Sequence, residues 1–502
     1  MFYTNVKHLG NHILLRGIDD DKRINDKFEF KPNLFIIDET SGEYNSLFGK
    51  KLKKHKFDSI DDCKNFIDMQ SSVENSTLYG TSNYVCQFMN EIFNNNTTEY
   101  DFTKLRILSI DIETTIHGKV DIENTPEEIT IITVKNFYTK KMTSFGIFDF
   151  DIDKEKIQNI LMKSNSKIKL NLDNFTYTKC KDEKEILSKF IEFIDEEHPD
   201  IITGWNVKYF DIPYIIGRSL MILGKHQTNR ISIWRHISKK VKEESDKKEI
   251  TYDIYGTEIL DYLDLYKKFI FVRPDNYRLD TVAEIEIGQN KLKTEYNTFE
   301  EFYTKDPYTF VIYNLIDVEL IDLLEEKLKL IQLATEIAYE GKVNFGDVYS
   351  PIKVWDNIIY HYMLEKNIVP NLYNENSKHK DKSIIGGYVQ EPIPGMYDWC
   401  MAFDATSLYP SIFMAFNMSP DTLIESDFHK DEITYDSIDK LTVENYSLTG
   451  NGYYYKKDKQ GLFPEIIDYF FKKRQIAKKE MLKTESEYNQ ILEEIKIREN
   501  GN

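Results

Sequence analysis

The stretch L-R-I-L-S-I-D-I-E, residues 105–113, joins a short apolar run to two carboxylates. The apolar run favours a β-strand, in which residues two apart point to the same face. Asp111 and Glu113 should therefore project together, with Ile112 packed beneath them. Adjacent carboxylates repel each other, and a bound divalent cation commonly neutralises this repulsion. Mg²⁺ or Mn²⁺ is expected because these ions prefer oxygen ligands. Taken alone, however, the pair is more simply explained as a chance D-x-E in an ordinary strand.

Two further motifs follow along the chain. In G-W-N-V-K-Y-F-D, residues 204–211, a short strand leads into a helix; Asp211 supplies a third carboxylate and Asn206 could cap and orient the turn. In Y-N-L-I-D, residues 313–317, helical spacing places Tyr313 and Asp317 on one face. Each motif alone also suits a plain helix cap or a surface helix. Together, the ordered set D-x-E, N-x-x-x-F-D and Y-x-x-x-D is not expected by chance.

This set resembles the 3′–5′ proofreading exonuclease of family B DNA polymerases. The resemblance implies a ribonuclease-H-like fold and two Mg²⁺ or Mn²⁺ ions held by four carboxylates, Asp111, Glu113, Asp211 and Asp317. Two such ions can activate water and stabilise an in-line displacement at phosphorus. Tyr313 would orient that water.

Two DNA-contacting residues are also implied by the resemblance. Asn206 belongs to the second motif and is assigned to DNA binding. Lys293, in K-T-E-Y at residues 293–296, resembles the auxiliary lysine near the third motif. A plain surface lysine is an equal alternative for Lys293.

A fourth motif, F-D-A-T-S-L-Y-P-S-I at residues 403–412, resembles the first palm motif of the same family. Asp404 is expected to end a short strand, Met401–Phe403, and to bind a catalytic metal ion. The turn that follows offers backbone N–H groups to a triphosphate. The resemblance implies that Leu408 and Tyr409 bind the incoming nucleotide, with Tyr409 beneath its sugar. The alternative is a buried aromatic residue in an ordinary strand–helix turn.

Two flanking segments extend the resemblance. I-G-G-Y-V, residues 385–389, resembles the linker between exonuclease and polymerase, in which Gly386 and Gly387 let the backbone approach DNA; an ordinary turn is the alternative. F-F-K-K-R, residues 470–474, resembles the first fingers helix, where Arg474 would bind triphosphate oxygens; a solvated basic helix face is the alternative. Segments such as T-G-W-N and S-P-I-K are most similar to the T-even bacteriophage branch, up to about residue 479.

Composition excludes several other classes of protein. The 502 residues are 41% hydrophobic and 14% aromatic, which rules out disorder. The four cysteines lack zinc or disulfide spacing, and no run of about 18 apolar residues occurs, so a cytoplasmic protein of the infected bacterial host, without membrane contact, is expected. The net charge of −19 argues against nucleic-acid binding. Basic stretches at 221–250 and 472–498 could still bind phosphates, although solvated surface is the simpler explanation for either alone.

The pattern of elements predicts a multidomain α/β and α+β protein. Alternating runs over Phe2–Asp38 indicate antiparallel strands, residues 183–197 have helical spacing, and long helices follow Pro307. The expected domains are an amino-terminal α+β domain, an exonuclease domain, a partial palm and the start of the fingers, at 1–103 (with 334–376), 104–333, 377–462 and 463–502.

Two segments that a family B polymerase needs, K-x-x-x-N-S-x-Y-G and D-T-D, do not occur in these 502 residues. We therefore expect the amino-terminal part of a DNA-directed DNA polymerase, with a complete exonuclease and an incomplete palm. Its expected partners are primer–template DNA, single-stranded 3′ ends, a deoxynucleotide triphosphate, a carboxy-terminal polymerase chain and a sliding clamp. The alternatives are a stand-alone 3′–5′ exonuclease and a non-catalytic nucleic-acid-binding subunit.

Overall fold

A computed structural model describes most of the chain, namely residues 1–73, 77–93, 100–115, 121–164, 168–244, 247–292, 294–296, 298–372, 387, 389–424, 442–443, 445–449 and 453–500. The chain divides into two units, each described here by itself. The first comprises Met1–Asn33, Lys56–Ser76 and Thr81–His361, and the second comprises Leu34–His55, Thr77–Gly80 and Tyr362–Asn502. None of the described helices is both long and apolar enough to cross a membrane.

The strands and helices are numbered in chain order. The strands are β1 (Phe2–Leu9), β2 (His12–Asp19), β3 (Lys22–Glu29), β4 (Asn33–Ile37), β5 (Tyr44–Ser46), β6 (Lys51–Lys56), β7 (Ile107–Thr114), β8 (Ile129–Asn136), β9 (Met142–Gly146), β10 (Phe175–Lys179), β11 (Ile201–Gly204), β12 (Ile237–Glu244), β13 (Lys247–Ile254), β14 (Glu258–Asp261), β15 (Ile368–Val369), β16 (Thr442–Val443), β17 (Tyr446–Leu448) and β18 (Tyr454–Lys456). The helices are α1 (Ile60–Ser71), α2 (Tyr84–Ile92), α3 (Lys154–Lys163), α4 (Glu183–Glu197), α5 (Asp211–Ile222), α6 (Gly224–Thr228), α7 (Tyr262–Phe269), α8 (Leu279–Ile287), α9 (Phe299–Lys305), α10 (Pro307–Leu328), α11 (Leu330–Gly341), α12 (Pro351–Glu365), α13 (Leu408–Phe416) and α14 (Leu462–Asn500).

Six strands form the central sheet of the first unit, in the order β10-β9-β8-β7-β11-β14. Strand β8 is antiparallel to β7 and β9, whereas β11 is parallel to β7 and β14. One face packs against α4 and α5 around three alternate β7 residues, Leu108, Ile110 and Ile112. On the other face, Ile131 of β8 clusters with Leu315 and Val318 of α10. Because side chains alternate along a strand, the acidic residues of β7 point to the α10 face.

The two helices predicted most clearly are confirmed. Helix α4 spans Glu183–Glu197, and its five periodic apolar residues are buried: Ile186, Leu187, Phe190, Ile191 and Ile194. Asp182 caps this helix by accepting a hydrogen bond from the N–H of Glu185. Helix α10 begins at Pro307, where the missing N–H of proline costs nothing, and is capped by Asp306. Its length lets one helix cross both β7 and β8.

The amino-terminal strands β1, β2 and β3 form an antiparallel sheet, as predicted. Strand β1 packs against the chain that follows α10. The hydroxyl of Tyr3 lies 3.0 and 2.8 Å from the carbonyl oxygens of Ala338 and Val343. Asn344 accepts from the N–H of Val6 and donates to its carbonyl, both at 2.8 Å. These buried bonds tie α11 and the segment after it to the first strand.

The second unit contains two small sheets, β15-β5-β6-β4 and β16-β17-β18, together with α13 and α14. The strand predicted over Met401–Phe403 was wrong. This segment forms no strand, and Met401 and Phe403 are 81% and 90% exposed. A strand requires a hydrogen-bonding neighbour, and no described residue pairs with this segment. Residues 470–474, predicted to lie on a helix, fall within α14.

Candidate metal centre

Three carboxylates meet on the α10 face of the central sheet. Asp111 and Glu113 project from β7 and Asp317 from α10, and one oxygen of each lies within 4.8 Å of the other two. The predicted arrangement of β7 is confirmed, since Ile112 points into the opposite core. Oxygens at this spacing can share a divalent cation, whose oxygen ligands lie about 2.0–2.6 Å away.

Asp211 lies beside this group rather than within it. It is the first residue of α5 and is buried. Its Oδ1 accepts a hydrogen bond from the N–H of Ile112 at 3.1 Å, which ties the start of α5 to β7. Its negative charge contributes to raising the pKa of Asp111. The fourth predicted carboxylate therefore interacts electrostatically with Asp111 and also with Glu113, whose pKa it helps to raise.

Burial raises the pKa values of all four carboxylates. For Asp111 burial is the largest cause, followed by the charges of Asp317 and Asp211. Burial, with repulsion from Asp317, raises the pKa of Glu113 to about 8, and burial raises the pKa of Asp211 to about 7. Burial also raises the pKa of Asp317, although Lys291 opposes the shift. A cation bound among these groups would favour their charged forms.

One buried carboxylate oxygen that lacks a hydrogen-bond partner among the described residues indicates that this site fits a metal ion. Asp317 Oδ1 is buried and has no hydrogen-bond partner among the described residues, while Oδ2 accepts from Lys291. A buried oxygen without a partner is costly, and a divalent cation would satisfy it. Because every candidate ligand is a carboxylate oxygen, the site suits Mg²⁺ or Mn²⁺ better than a softer metal.

Lys291, which belongs to none of the motifs, reaches the site. Its Nζ donates to Asp317 Oδ2 and, at 3.3 Å, to the hydroxyl of Tyr313. Its backbone N–H donates to Asp280 Oδ1 at 2.7 Å, which anchors the segment to α8. Although burial opposes it, the negative charge of Asp317 raises the pKa of Lys291. Lys293 lies outside the described residues, so its role as the auxiliary lysine stays a prediction.

Helix α10 contributes two more side chains. Asn314 is fully buried, and its Nδ2 donates to Asp111 Oδ2 at 2.6 Å. The ring of Tyr313 packs edge-on against Phe299 and Phe302, with ring centroids 5.8 and 5.9 Å away. The phenol is thereby held with its hydroxyl toward the carboxylates. One helix face thus presents Tyr313, Asn314 and Asp317 together, as the i, i+3 and i, i+4 spacings require.

The turn before Asp211 is held by Asp261 at the end of β14. This buried carboxylate accepts from the N–H of Asn206 at 3.2 Å and of Lys208 at 3.0 Å, and burial raises its pKa to about 6. Asn206 adopts a left-handed backbone with φ of 68°. The predicted cap was wrong, because Phe210 occupies the cap position of α5 and makes no side-chain cap bond. Asn206 instead serves the turn through its backbone.

The predicted polymerase residues belong to the second unit. Asp404 is exposed, α13 begins at Leu408, and Tyr409 is 75% exposed. Arg474 lies on an exposed stretch of α14. Gly387 is exposed, with open space where a Cβ would be, whereas Gly386 lies outside the described residues. None of the described contacts tests the nucleotide or DNA role of these residues.

Sequence reasoning missed Lys291, Asn314 and Asp261. Lys291 and Lys293 lie two residues apart in N-K-L-K, residues 290–293, and the sequence does not indicate which of them reaches the site. The structure places Lys291 against Asp317. Asn314 carried a readable signal, because it lies three residues before Asp317 on the same helix face. The sequence around Asp261 indicated only an ordinary helix cap. Its bonds to the turn join segments about 55 residues apart, so no local pattern could predict them.

Comparisons with known proteins agree with this geometry. Residues 59–282 match the exonuclease domain of DNA polymerase family B, and residues 350–497 match DNA polymerase family B. The DNA-directed DNA polymerase of Escherichia phage RB69 is 30% identical over 96% of this chain and 54% of the relative. That of Enterobacteria phage T4 is 31% identical over 95% of this chain and 54% of the relative.

A more distant relative is the DNA polymerase delta catalytic subunit of Candida albicans, 27% identical over 76% of this chain and 36% of the relative. The chain spans about half the length of the two phage relatives. The exonuclease match includes two of the three carboxylates of the metal centre, and the polymerase match includes Asp404. The chain belongs to DNA polymerase family B.

Proposed function

We propose that this chain carries the metal-dependent 3′–5′ proofreading exonuclease of a DNA-directed DNA polymerase. The observation that carries the proposal is the group formed by Asp111, Glu113 and Asp317, whose oxygens approach within 4.8 Å on one buried face of the sheet. Concentrated negative charge of this kind requires cations, and phosphodiester hydrolysis is a reaction that two such cations support. The substrates would be single-stranded 3′ ends and primer–template DNA.

We assign the metal ligands to four carboxylates, Asp111, Glu113, Asp211 and Asp317, and the cofactor to two Mg²⁺ or Mn²⁺ ions. When bound, the ions supply activation of water and neutralisation of charge on the phosphate. The protein's own groups would orient the reactants. The hydroxyl of Tyr313, held by Lys291 at 3.3 Å, would hydrogen-bond the attacking water. The ammonium of Lys291 would keep Asp317 ionised.

The exonuclease segment is proposed to have a ribonuclease-H-like fold. The support is the five-strand order β9-β8-β7-β11-β14, in which β8 alone is antiparallel to β7. The proposed amino-terminal domain, 1–103 joined by 334–376, is supported by the bonds that Tyr3 and Val6 make to the segment after α11. The proposed boundaries of palm and fingers, at 377–462 and 463–502, rest on the motifs alone.

The second proposed activity is nucleotidyl transfer, which these 502 residues would support only in part. Asp404 would bind one metal ion, Leu408 and Tyr409 the nucleotide, and Arg474 its triphosphate. Neither K-x-x-x-N-S-x-Y-G nor D-T-D occurs in the sequence, so the second metal-binding aspartate must come from another segment or chain. A carboxy-terminal polymerase chain and a sliding clamp are the proposed protein partners.

The exonuclease is tested with a 5′-labelled single strand, incubated with the protein and Mg²⁺ or Mn²⁺. We expect a ladder that shortens from the 3′ end and disappears with EDTA. The Asp111→Ala, Glu113→Ala double variant should lose about a thousandfold in rate, since metal ions contribute several kcal/mol and each 1.36 kcal/mol is tenfold.

The matched control replaces two exposed aspartates of the same unit, Asp149 and Asp173, whose side chains are 91% and 84% exposed. This control should trim DNA at the wild-type rate. Shortening from the 5′ end, or equal trimming by the Asp111/Glu113 variant, would contradict the proposed function.

A further inference from the structure

Among the described contacts, the amide of Asn314 is the one neutral side-chain donor to a carboxylate of the metal centre. Its Nδ2 lies 2.6 Å from Asp111 Oδ2, and the residue is fully buried. Its own Oδ1 is buried, and no described residue forms a hydrogen bond with it. A buried amide with so few hydrogen bonds costs free energy, because its polar atoms have left water without full compensation. Packing alone therefore does not explain why an asparagine occupies this position.

The position of Asn314 follows from the way α10 is fixed on the sheet. Lys135 of β8 is buried and donates to Glu319 Oε2 at 2.6 Å and to Asp322 Oδ2 at 2.5 Å. These pairs begin two residues after Asp317 and fix the helix against β8. The same rigid helix therefore presents a carboxylate of the centre and, three residues earlier, a donor to Asp111 on the neighbouring strand.

The charge of the donor matters at such a site. Lys291 already places a positive charge on Asp317, and a second ammonium at Asp111 would compete with the cation. A neutral amide instead fixes the orientation of Asp111 and favours its ionised form without reducing the negative charge of the group.

We propose that Asn314 is a positioning residue, whose amide orients Asp111 for metal binding. This inference rests on the proposed function only for the identity of the metal site. It assigns to Asn314 a role that is separate from cleavage itself, so it predicts a change in metal affinity that can be measured without nucleic acid.

The test is Asn314→Leu, which keeps the approximate volume and removes the donor. Calorimetric titration with Mn²⁺ alone should show metal affinity reduced by about 10–100-fold, the usual effect of losing a group that orients a ligand. The half-saturating Mn²⁺ concentration for 3′ trimming should rise by the same factor. At saturating Mn²⁺ the trimming rate should largely recover, because no metal ligand is lost. Asn314→Ala gives the same measurement if the leucine variant fails to fold.

The matched control is Asn90→Leu. Asn90 is also a buried asparagine whose Oδ1 has no hydrogen-bond partner in the described part of the chain, but its Nδ2 donates to the carbonyl of Cys86 in α2. This variant should lose thermal stability and keep wild-type Mn²⁺ affinity. In an Asp111→Ala background, Asn314→Leu should weaken Mn²⁺ binding no further, because its target is gone.

The outcomes separate this inference from the proposed function. Wild-type Mn²⁺ affinity in both folded Asn314 variants, or the same loss of affinity in Asn90→Leu, would overturn the positioning role while trimming by the wild type still supports the exonuclease. If the wild type binds Mn²⁺ but trims neither end, the proposed function fails and the titration still decides the role of Asn314. A wild type that binds no Mn²⁺ overturns the positioning role.

Discussion

Asp111 and Asp404 present the same sequence signal with different structural outcomes. Each follows a short apolar run and was predicted to be a metal ligand at or near the end of a strand. In the first unit the strand forms, its two faces are covered, and Asp111 meets two further carboxylates. In the second unit the strand is absent and Asp404 is exposed. The first motif therefore lies in an acidic cluster that could hold a metal ion, because other elements bury and align its carboxylates.

The same difference between the two regions explains why the first site suits a cation. Burial raises the pKa of Asp111, and neighbouring carboxylates raise it further. Ionising Asp111 without a metal ion is therefore unfavourable. A bound cation would offset the repulsion between the carboxylates and so favour their ionised forms. An exposed carboxylate such as Asp404 is solvated and gains less from a metal ion until further residues enclose it.

The largest expected effect comes from removing one carboxylate from each region. Asp317→Ala should slow 3′ trimming by about a thousandfold, because it removes a metal ligand from the centre. Asp404→Ala should leave trimming within about twofold of wild type. With an added chain that bears K-x-x-x-N-S-x-Y-G and D-T-D, primer extension should appear, and Asp404→Ala should abolish it.

Both reactions can be followed on one 5′-labelled primer–template, since trimming shortens the primer and extension lengthens it. The 502-residue chain alone should trim and not extend. Templated extension by this chain alone, free of contaminating polymerase, would contradict the incomplete polymerase site. A trimming defect in Asp404→Ala would show that the two regions do not act separately.

A second prediction compares the lysine that the structure places with the lysine that the sequence suggested. Lys291→Met removes the cation that donates to Asp317 and Tyr313 and should slow trimming by about 10–100-fold, as for other groups that orient metal ligands. Lys293→Met serves as the control, and we expect a smaller loss. The measurement is the single-turnover rate at saturating Mn²⁺. A larger loss for Lys293→Met would restore the assignment made from the sequence.

This pair of lysines marks the limit of what the sequence could predict. The strand of Asp111 and Glu113, the burial of Ile112, and helices α4 and α10 followed from local periodicity, because each needs only one well-packed element. The choice between Lys291 and Lys293 depends on a loop whose backbone bonds to Asp280 on α8. The contact from Asp261 to the turn of Asn206 depends on two parallel strands meeting. Neither contact has a local signature.

The failed strand at Met401–Phe403 and the failed cap at Asn206 have related causes. An apolar tripeptide becomes a strand only when a neighbouring strand supplies hydrogen bonds, and the described residues supply none to this segment. At Asn206 the residue type was suited to a cap, but a left-handed turn placed the helix start five residues later. In both cases tertiary context overrode a local preference.

A third prediction concerns the basic stretches, which differ between the two units. In the first unit, Lys240 pairs with Asp253 and Lys248 with Glu123 across and beside the β12–β13 hairpin. In the second, Lys472 pairs with Asp468 on α14, and Arg474 is exposed. We expect α14 to contact phosphates, so replacing Lys472, Lys473 and Arg474 by Glu should flatten the log–log salt dependence of DNA binding by about 0.7–0.9 per lost contact.

The matched control reverses three charges farther along the same helix, at Lys483, Lys496 and Arg498. It changes the net charge equally and should leave the salt slope closer to wild type. Binding is measured by fluorescence anisotropy with a primer–template between low and moderate salt. Equal slopes for both triple variants would show that α14 responds only through net charge, and an unchanged slope would show that its basic face is merely solvated.

The last prediction is a pH dependence of stability that distinguishes a buried from an exposed carboxylate within one helix. Glu325 of α10 is buried and accepts from the hydroxyl of Tyr262 and from the N–H of Ile331 and of Gln332. Burial is the largest cause that raises its pKa from 4.5 to about 7. The folded state therefore binds the proton more tightly than the unfolded state, and stability is lost as pH rises from about 4.5 through 7.

Glu325→Gln keeps one acceptor oxygen, for Tyr262 and Ile331, and loses the bond from the N–H of Gln332. That lost bond lowers stability equally at every pH, whereas removal of the charge should abolish this contribution to the pH dependence. Relative to the variant, the wild type should lose roughly 3 kcal/mol of unfolding free energy between pH 4.5 and 8, since each pKa unit corresponds to 1.36 kcal/mol. Melting temperatures of both proteins across this range measure the difference. Glu326→Gln, one residue later with a side chain 56% exposed, is the control and should follow the wild type. Parallel melting curves for Glu325→Gln and the wild type would mean that burial of this carboxylate carries no stability cost, because a raised pKa in the folded state requires the two curves to diverge as pH rises.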